Sequence, residues 1–280
     1  MSELEKEDYQ EPRCLICDPV DQKQAGVTPI PVGRILKKLD TFLDRQDYAG
    51  AKRLLAGWME EARQGHDLRG QLSLENELMG ICRKTGAGEE AMQHAARALQ
   101  LIEDTGLQDS VTAATTYVNA ATVYHAFEKE DRSLELFRKA RPLMEASLPE
   151  GDFRLGSLYN NMALTLMSLE QYGEAREMNR LALQTMEKNE NGKLEQAVTW
   201  LNKANAEELE LGLEEAAGTI DTCLERAEAL LLDPELEQNG YYAFFCEKCA
   251  PTFDYYGWFV TAKELKTRAE RYYAGNGAEQ

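Results

Sequence analysis

The chain is poor in the residues that do chemistry. It has three histidines in 280 residues, His66, His94 and His125, and none stands in a Ser/His/Asp or Cys/His arrangement. There is no GxxxxGK[ST] loop to cradle phosphate and no HExxH helix to hold a catalytic metal. These absences count against an enzyme. Positive charge is also short, with 31 Lys and Arg against 49 Asp and Glu, a net charge of −18. Nucleic acid needs basic patches that replace its counterions, and anionic membrane surfaces attract basic segments. Neither is expected as a partner, and a neutral or basic one is favoured. No apolar run reaches 18 residues, so no segment reads as a membrane span. The opening MSELEKEDYQ is acidic and polar, the opposite of a signal peptide. The expectation is a cytoplasmic protein whose six cysteines are reduced unless metal holds them.

Periodicity is what the chain has in plenty. Residues 157–188, SLYNNMALTLMSLEQYGEAREMNRLALQTMEK, place apolar side chains at helical spacing in two runs. The first is Leu158, Met162, Leu166 and Leu169; the second is Met178, Leu181, Ala182 and Met186. Glu170-Gln171-Tyr172-Gly173 breaks them, and Ala163 and Ala175 are small where the two backbones must approach. The small residue after the break recurs as Ala51, Ala91, Ser133, Ala175, Ala216 and Ala262, at spacings of 40, 42, 42, 41 and 46. Spacings of 20–50 residues mark a repeat architecture. The corner tyrosine, the small residue three positions later and the Leu181-Ala182 pair resemble a tetratricopeptide repeat. The surplus over the usual length of about 34 residues falls in turn-rich connectors such as 103–107, 148–152 and 189–192. That makes the repeat similar to the longer kind found in kinesin light chains.

The resemblance implies an all-α fold, a right-handed α-solenoid of about six helix-turn-helix repeats over residues 29–276, behind an acidic arm at 1–28. Trp200 is expected to pack within the fifth repeat. The sixth, 239–276, is atypical: Tyr241, Phe244, Phe245, Phe253, Tyr255, Tyr256, Trp258 and Phe259 form an aromatic block. Pro251 predicts a kink or an end to its first helix near Ala250. Cys82 and Cys223 fall in packing stripes and read as small core residues. The acids Glu207, Glu208, Glu210, Glu214 and Glu215 read as a solvated face.

Two patterns carry the functional expectations. Asn119, Asn161 and Asn202 lie 42 and 41 residues apart, each 14 before its aligned small residue. In repeats of this kind the first helix lines the inner face, so three amides would stand at one height along a groove. Each offers a donor and an acceptor, which suits the backbone of an extended peptide. The resemblance implies that role, although the same asparagines would equally satisfy neighbouring loops or helix ends. Asn76 sits one position out of step. Arg83, Thr122, His125, Asn160, Asn205 and Glu208 are further candidates on the same face.

The second pattern is Cys14-x-x-Cys17 with Cys246-x-x-Cys249, each half of a four-cysteine zinc site. A shared structural zinc, separately acting thiols and redox work all stay open. A shared zinc would draw the arm back across the groove as an internal inhibitor. No other cofactor is expected. The function that follows is a non-catalytic protein- or peptide-binding scaffold. The alternatives are a peptide-responsive regulator acting through a separate output partner, and a zinc- or redox-dependent sensor.

Overall fold

The structure is a computed structural model and describes residues 26–277. Among them are twelve α-helices and no strand: α1 (Val32–Leu43), α2 (Tyr48–Gln64), α3 (Leu68–Lys84), α4 (Gly88–Asp104), α5 (Val111–Ala126), α6 (Glu130–Ser147), α7 (Phe153–Ser168), α8 (Tyr172–Glu187), α9 (Lys193–Leu211), α10 (Leu213–Leu231), α11 (Gly240–Tyr255) and α12 (Phe259–Gly277). They form six helix-turn-helix repeats. The repeat frame read from the sequence is met at every copy. Ala51, Ala91, Ser133, Ala175, Ala216 and Ala262 are each the fourth residue of a second helix, and each is at most 1% exposed. A larger side chain has no room there. The one hydroxyl among them, Ser133, is satisfied by Thr165 Oγ1 at 3.1 Å.

The corners are built alike. At Gln46, Gly86, Glu128, Glu170 and Gly257 the backbone turns left-handed, φ between 55° and 82°. At each, that residue's N–H reaches back three residues. The next N–H reaches back five, as in Asp47 N to Phe42 O at 2.9 Å and Gln171 N to Leu166 O at 2.8 Å. This double bond pattern satisfies carbonyls that a helix end leaves open. The fifth corner is shorter. Gly212 alone closes α9 and opens α10, with φ 82° and ψ 158°, a conformation that only glycine adopts readily.

The helices gather into two compact units that divide between Val123 and Tyr124, inside α5. In the first, Ile35 and Leu39 of α1, Leu55 and Met59 of α2, and Leu74, Leu78 and Ile81 of α3 make one core. Asp67 stitches it together: its carboxylate accepts Gly70 N–H at 2.8 Å, capping α3, and Ile30 N–H at 2.9 Å. In the second unit α9 packs against α7, α8, α10 and α11, so the first helices α7, α9 and α11 form one layer. Leu201, Leu224, Phe245, Phe253 and Leu265 fill its core, with Trp200 half-buried against it.

One expectation fails here. α11 does not stop near Ala250 but runs through Pro251 to Tyr255. The proline removes one backbone donor, yet Cys246, Cys249, Ala250 and Phe253 on that helix are all buried. Their packing holds the helix against the loss, and Pro251 itself lies on the exposed side.

Candidate functional site

The asparagines sit on the first helices of four successive repeats: Asn76 on α3, Asn119 on α5, Asn160 and Asn161 on α7, and Asn202 and Asn205 on α9. In the first unit two of them meet. The Asn119 Nδ2 donates to Asn76 Oδ1 at 2.7 Å, and Asn76 Nδ2 donates to Thr116 Oγ1 at 3.1 Å and to Leu72 O at 2.9 Å. The pair is an amide clasp between α3 and α5. Asn76 lies 15 residues before its small residue and Asn119 lies 14 before its own. The offset that sets Asn76 out of step is the offset that makes it a partner.

The same register recurs in the second unit. Asn160 stands at the 15 position of its repeat and Asn202 at the 14 position of the next. Both are buried, 6% and 7% exposed. Their orphaned atoms are Asn160 Oδ1 and Asn202 Nδ2, neither with a partner among the described residues. Those are the same two atoms, acceptor and donor, that meet in the Asn76–Asn119 clasp. Asn161 differs. It is half-buried on α7, and the 15 position of the preceding repeat, the one a 14-position amide would clasp, is the apolar Val118.

The remaining candidates scatter. Asn205 Oδ1 accepts the Tyr256 hydroxyl at 2.9 Å. Glu208 accepts both Tyr255 and Tyr256 hydroxyls at 2.7 Å, tying the end of α9 to the end of α11. Burial and the Glu208 carboxylate together raise the Tyr256 phenol well above its ordinary range, so it stays a donor. His125 turns to its own corner, with Nδ1 2.7 Å from Glu130 Oε2. Thr122 donates to the Asn119 carbonyl at 2.8 Å. Arg83 is exposed in the last turn of α3.

Cys246 and Cys249 lie one turn apart on α11, both buried in the aromatic core. Burial pushes the Cys249 thiol up to about 12 and raises Cys246 as well. Cys14 and Cys17 lie outside the described residues, as does the rest of the arm through residue 25. Asn179 on α8 is 2% exposed, its two amide atoms have no partner among the described residues, and no sequence pattern marks it. Its apolar neighbours Met178, Leu181 and Ala182 hide it inside a packing stripe.

A tetratricopeptide repeat family model matches residues 155–191, the stretch from α7 through α8. No curated protein matches the chain. Among solved structures, one of kinesin light chain nearly identical TPR-like repeats from Podosopora anserina is 16% identical, with a TM-score of 0.49, covering 75% of this chain and 98% of that one. BtubC (BKLC) from P. vanneervenii is 17% identical at a TM-score of 0.48, covering 90% and 94%. A tetratricopeptide repeat protein from Parabacteroides merdae is 18% identical at 0.42, covering 85% and 98%. No described helix is long and apolar enough to cross a membrane.

Proposed function

We propose that this chain, which carries a tetratricopeptide repeat, is a non-catalytic scaffold that holds a protein or extended peptide against its first helices. The observation that carries the reading is Asn161. It stands half-buried on the first helix α7, and the 15 position of the preceding repeat, Val118, has no amide to clasp it. The Asn161 amide offers a donor and an acceptor, the complement of the alternating donors and acceptors of a peptide backbone. The Asn76–Asn119 clasp marks what the row does where no guest is needed. Net charge of −18 favours a neutral or basic guest.

A displayed library of random peptides tests this. The full chain should enrich extended, neutral or basic sequences. Asn161→Ala should weaken the enriched peptides about 2- to 12-fold, the equivalent of one net hydrogen bond of roughly 0.5–1.5 kcal/mol. The triple change of Asn119, Asn161 and Asn202 to Ala should abolish binding with helical circular dichroism retained. Full affinity in the folded triple variant would remove the asparagine row from the site.

A further inference from the structure

Apart from the asparagines, one cluster of side chains is assembled as if to receive a ligand. Cys82 of α3 and Glu90 and His94 of α4 offer a thiol, a carboxylate and an imidazole whose ligand atoms all lie within 4.8 Å of one another. Cys82 is fully buried, and His94 is nearly so at 8% exposed. Behind His94, the Glu75 carboxylate holds Nδ1 at 2.5 Å, its side chain only 3% exposed. A carboxylate accepts, so Nδ1 is the donor to Glu75, and in the neutral ring that leaves Nε2 as the ligand atom. That nitrogen lies 4.0 Å from Glu90 Oε1. A buried carboxylate orienting an imidazole from behind is the usual outer support of a metal-ligating histidine. The cluster already draws a cation: the Lys52 ammonium sits 2.7 Å from Glu90 Oε2.

We propose that Cys82, Glu90 and His94 form a zinc site, with a water as fourth ligand and Lys52 as the group that zinc displaces. The donor set selects the metal. Thiolate with imidazole suits zinc and disfavours magnesium or calcium, which take oxygen ligands. At metal–ligand lengths of about 2.0–2.3 Å, tetrahedral ligands stand about 3.3–3.8 Å apart, so the cluster must contract by about 1 Å. Glu90, half-exposed at 49%, supplies that movement and the entry path. On binding, Cys82 loses its thiol proton to solvent and the thiolate sulfur bonds the metal. Lys52 swings out along a side chain already 28% exposed. The bound ion would clamp α3 to α4 within the second repeat.

Cobalt(II) and zinc(II), added alone to the full chain under a non-chelating reductant, test the site. All proteins carry Cys14→Ser and Cys17→Ser, so that the arm contributes no thiol. One equivalent of cobalt should bind with a thiolate charge-transfer band and tetrahedral d–d bands, and zinc should displace it. Cys82→Ser should abolish the charge-transfer band. Glu75→Gln should weaken binding 10- to 100-fold, as loss of an outer-shell partner does. Lys52→Met should tighten binding, a change that no purely structural role for the lysine predicts. A charge-transfer band that survives Cys82→Ser, or no band at all, overturns the proposal. If Cys82→Ser or Glu75→Gln does not fold, the Lys52→Met variant, at a partly exposed position, decides alone, and unchanged or weaker cobalt affinity in it overturns the site.

Discussion

Glu77 and Asp67 hold opposite kinds of carboxyl group on one helix and its cap. Burial, with Asp40 nearby as a second cause, raises the Glu77 carboxyl from 4.5 to about 6. A raised folded value means that the folded chain binds this proton more tightly than the unfolded one. The resulting stability is fully present below pH 4.5 and is lost as pH rises through about 6. Above that, a half-buried carboxylate is a cost. Glu77→Gln should therefore stabilise the first unit by about 1–2 kcal/mol at pH 8 and change little at pH 4, read from urea midpoints at both. An unchanged difference between the two pH values would show that the group is solvated. Asp67 instead gives its charge to two N–H donors, Gly70 and Ile30. Asp67→Ala should cost about 1–3 kcal/mol, and Asp67→Asn less, because it keeps an acceptor for one of them. At this scale the sequence reading was partial. The spacing of 14 residues found Asn119, Asn161 and Asn202, but a partner in the neighbouring repeat is one register position away, so Asn76 looked misplaced. Cys82 and His94 sit on different helices, and nothing in either helix alone marks their meeting.

The corners share one backbone pattern, and three of them carry strain. Gln46, Glu128 and Glu170 occupy a left-handed conformation that side chains with a Cβ resist. Gly86 and Gly257 fill the same place in sibling repeats without that cost. Glu128→Gly and Glu170→Gly should each stabilise the fold by about 0.5–1 kcal/mol, the relief of strain exceeding the added freedom of the unfolded chain. Gly212→Ala should destabilise by about 1–3 kcal/mol, since its φ and ψ admit little but glycine. Thermal midpoints of the three variants check both signs; a stable Gly212→Ala would mean that this corner relaxes freely. The pattern of small residues made the helix pairs legible because it records a contact that every repeat must make. Pro251 misled because its local rule is sound but was outweighed. A residue-level cost of about 3 kcal/mol says nothing about how many neighbours on the same helix are buried.

Within each unit the helices that pack together come from the same or adjacent repeats, so stability is expected to be a sum of local terms. Trp200 tests this. It lies half-buried on α9 against a core built from α9 through α12, with the Lys203 ammonium 5.1 Å from its ring centre. A fully buried tryptophan truncated to alanine costs about 3–5 kcal/mol; half-buried, Trp200→Ala should cost about 2. The loss should be local. Native-state hydrogen exchange should speed up most in α9, α10 and α11, whose residues line that core, and leave the α2 and α3 amides close to their original rates. In a denaturant titration the variant should unfold over a broader range than the parent, because one stretch of repeats now melts before the rest. A uniform acceleration reaching α2 and α3 would mean that the chain folds as one cooperative body. The additive picture drawn from its repeats would then be wrong.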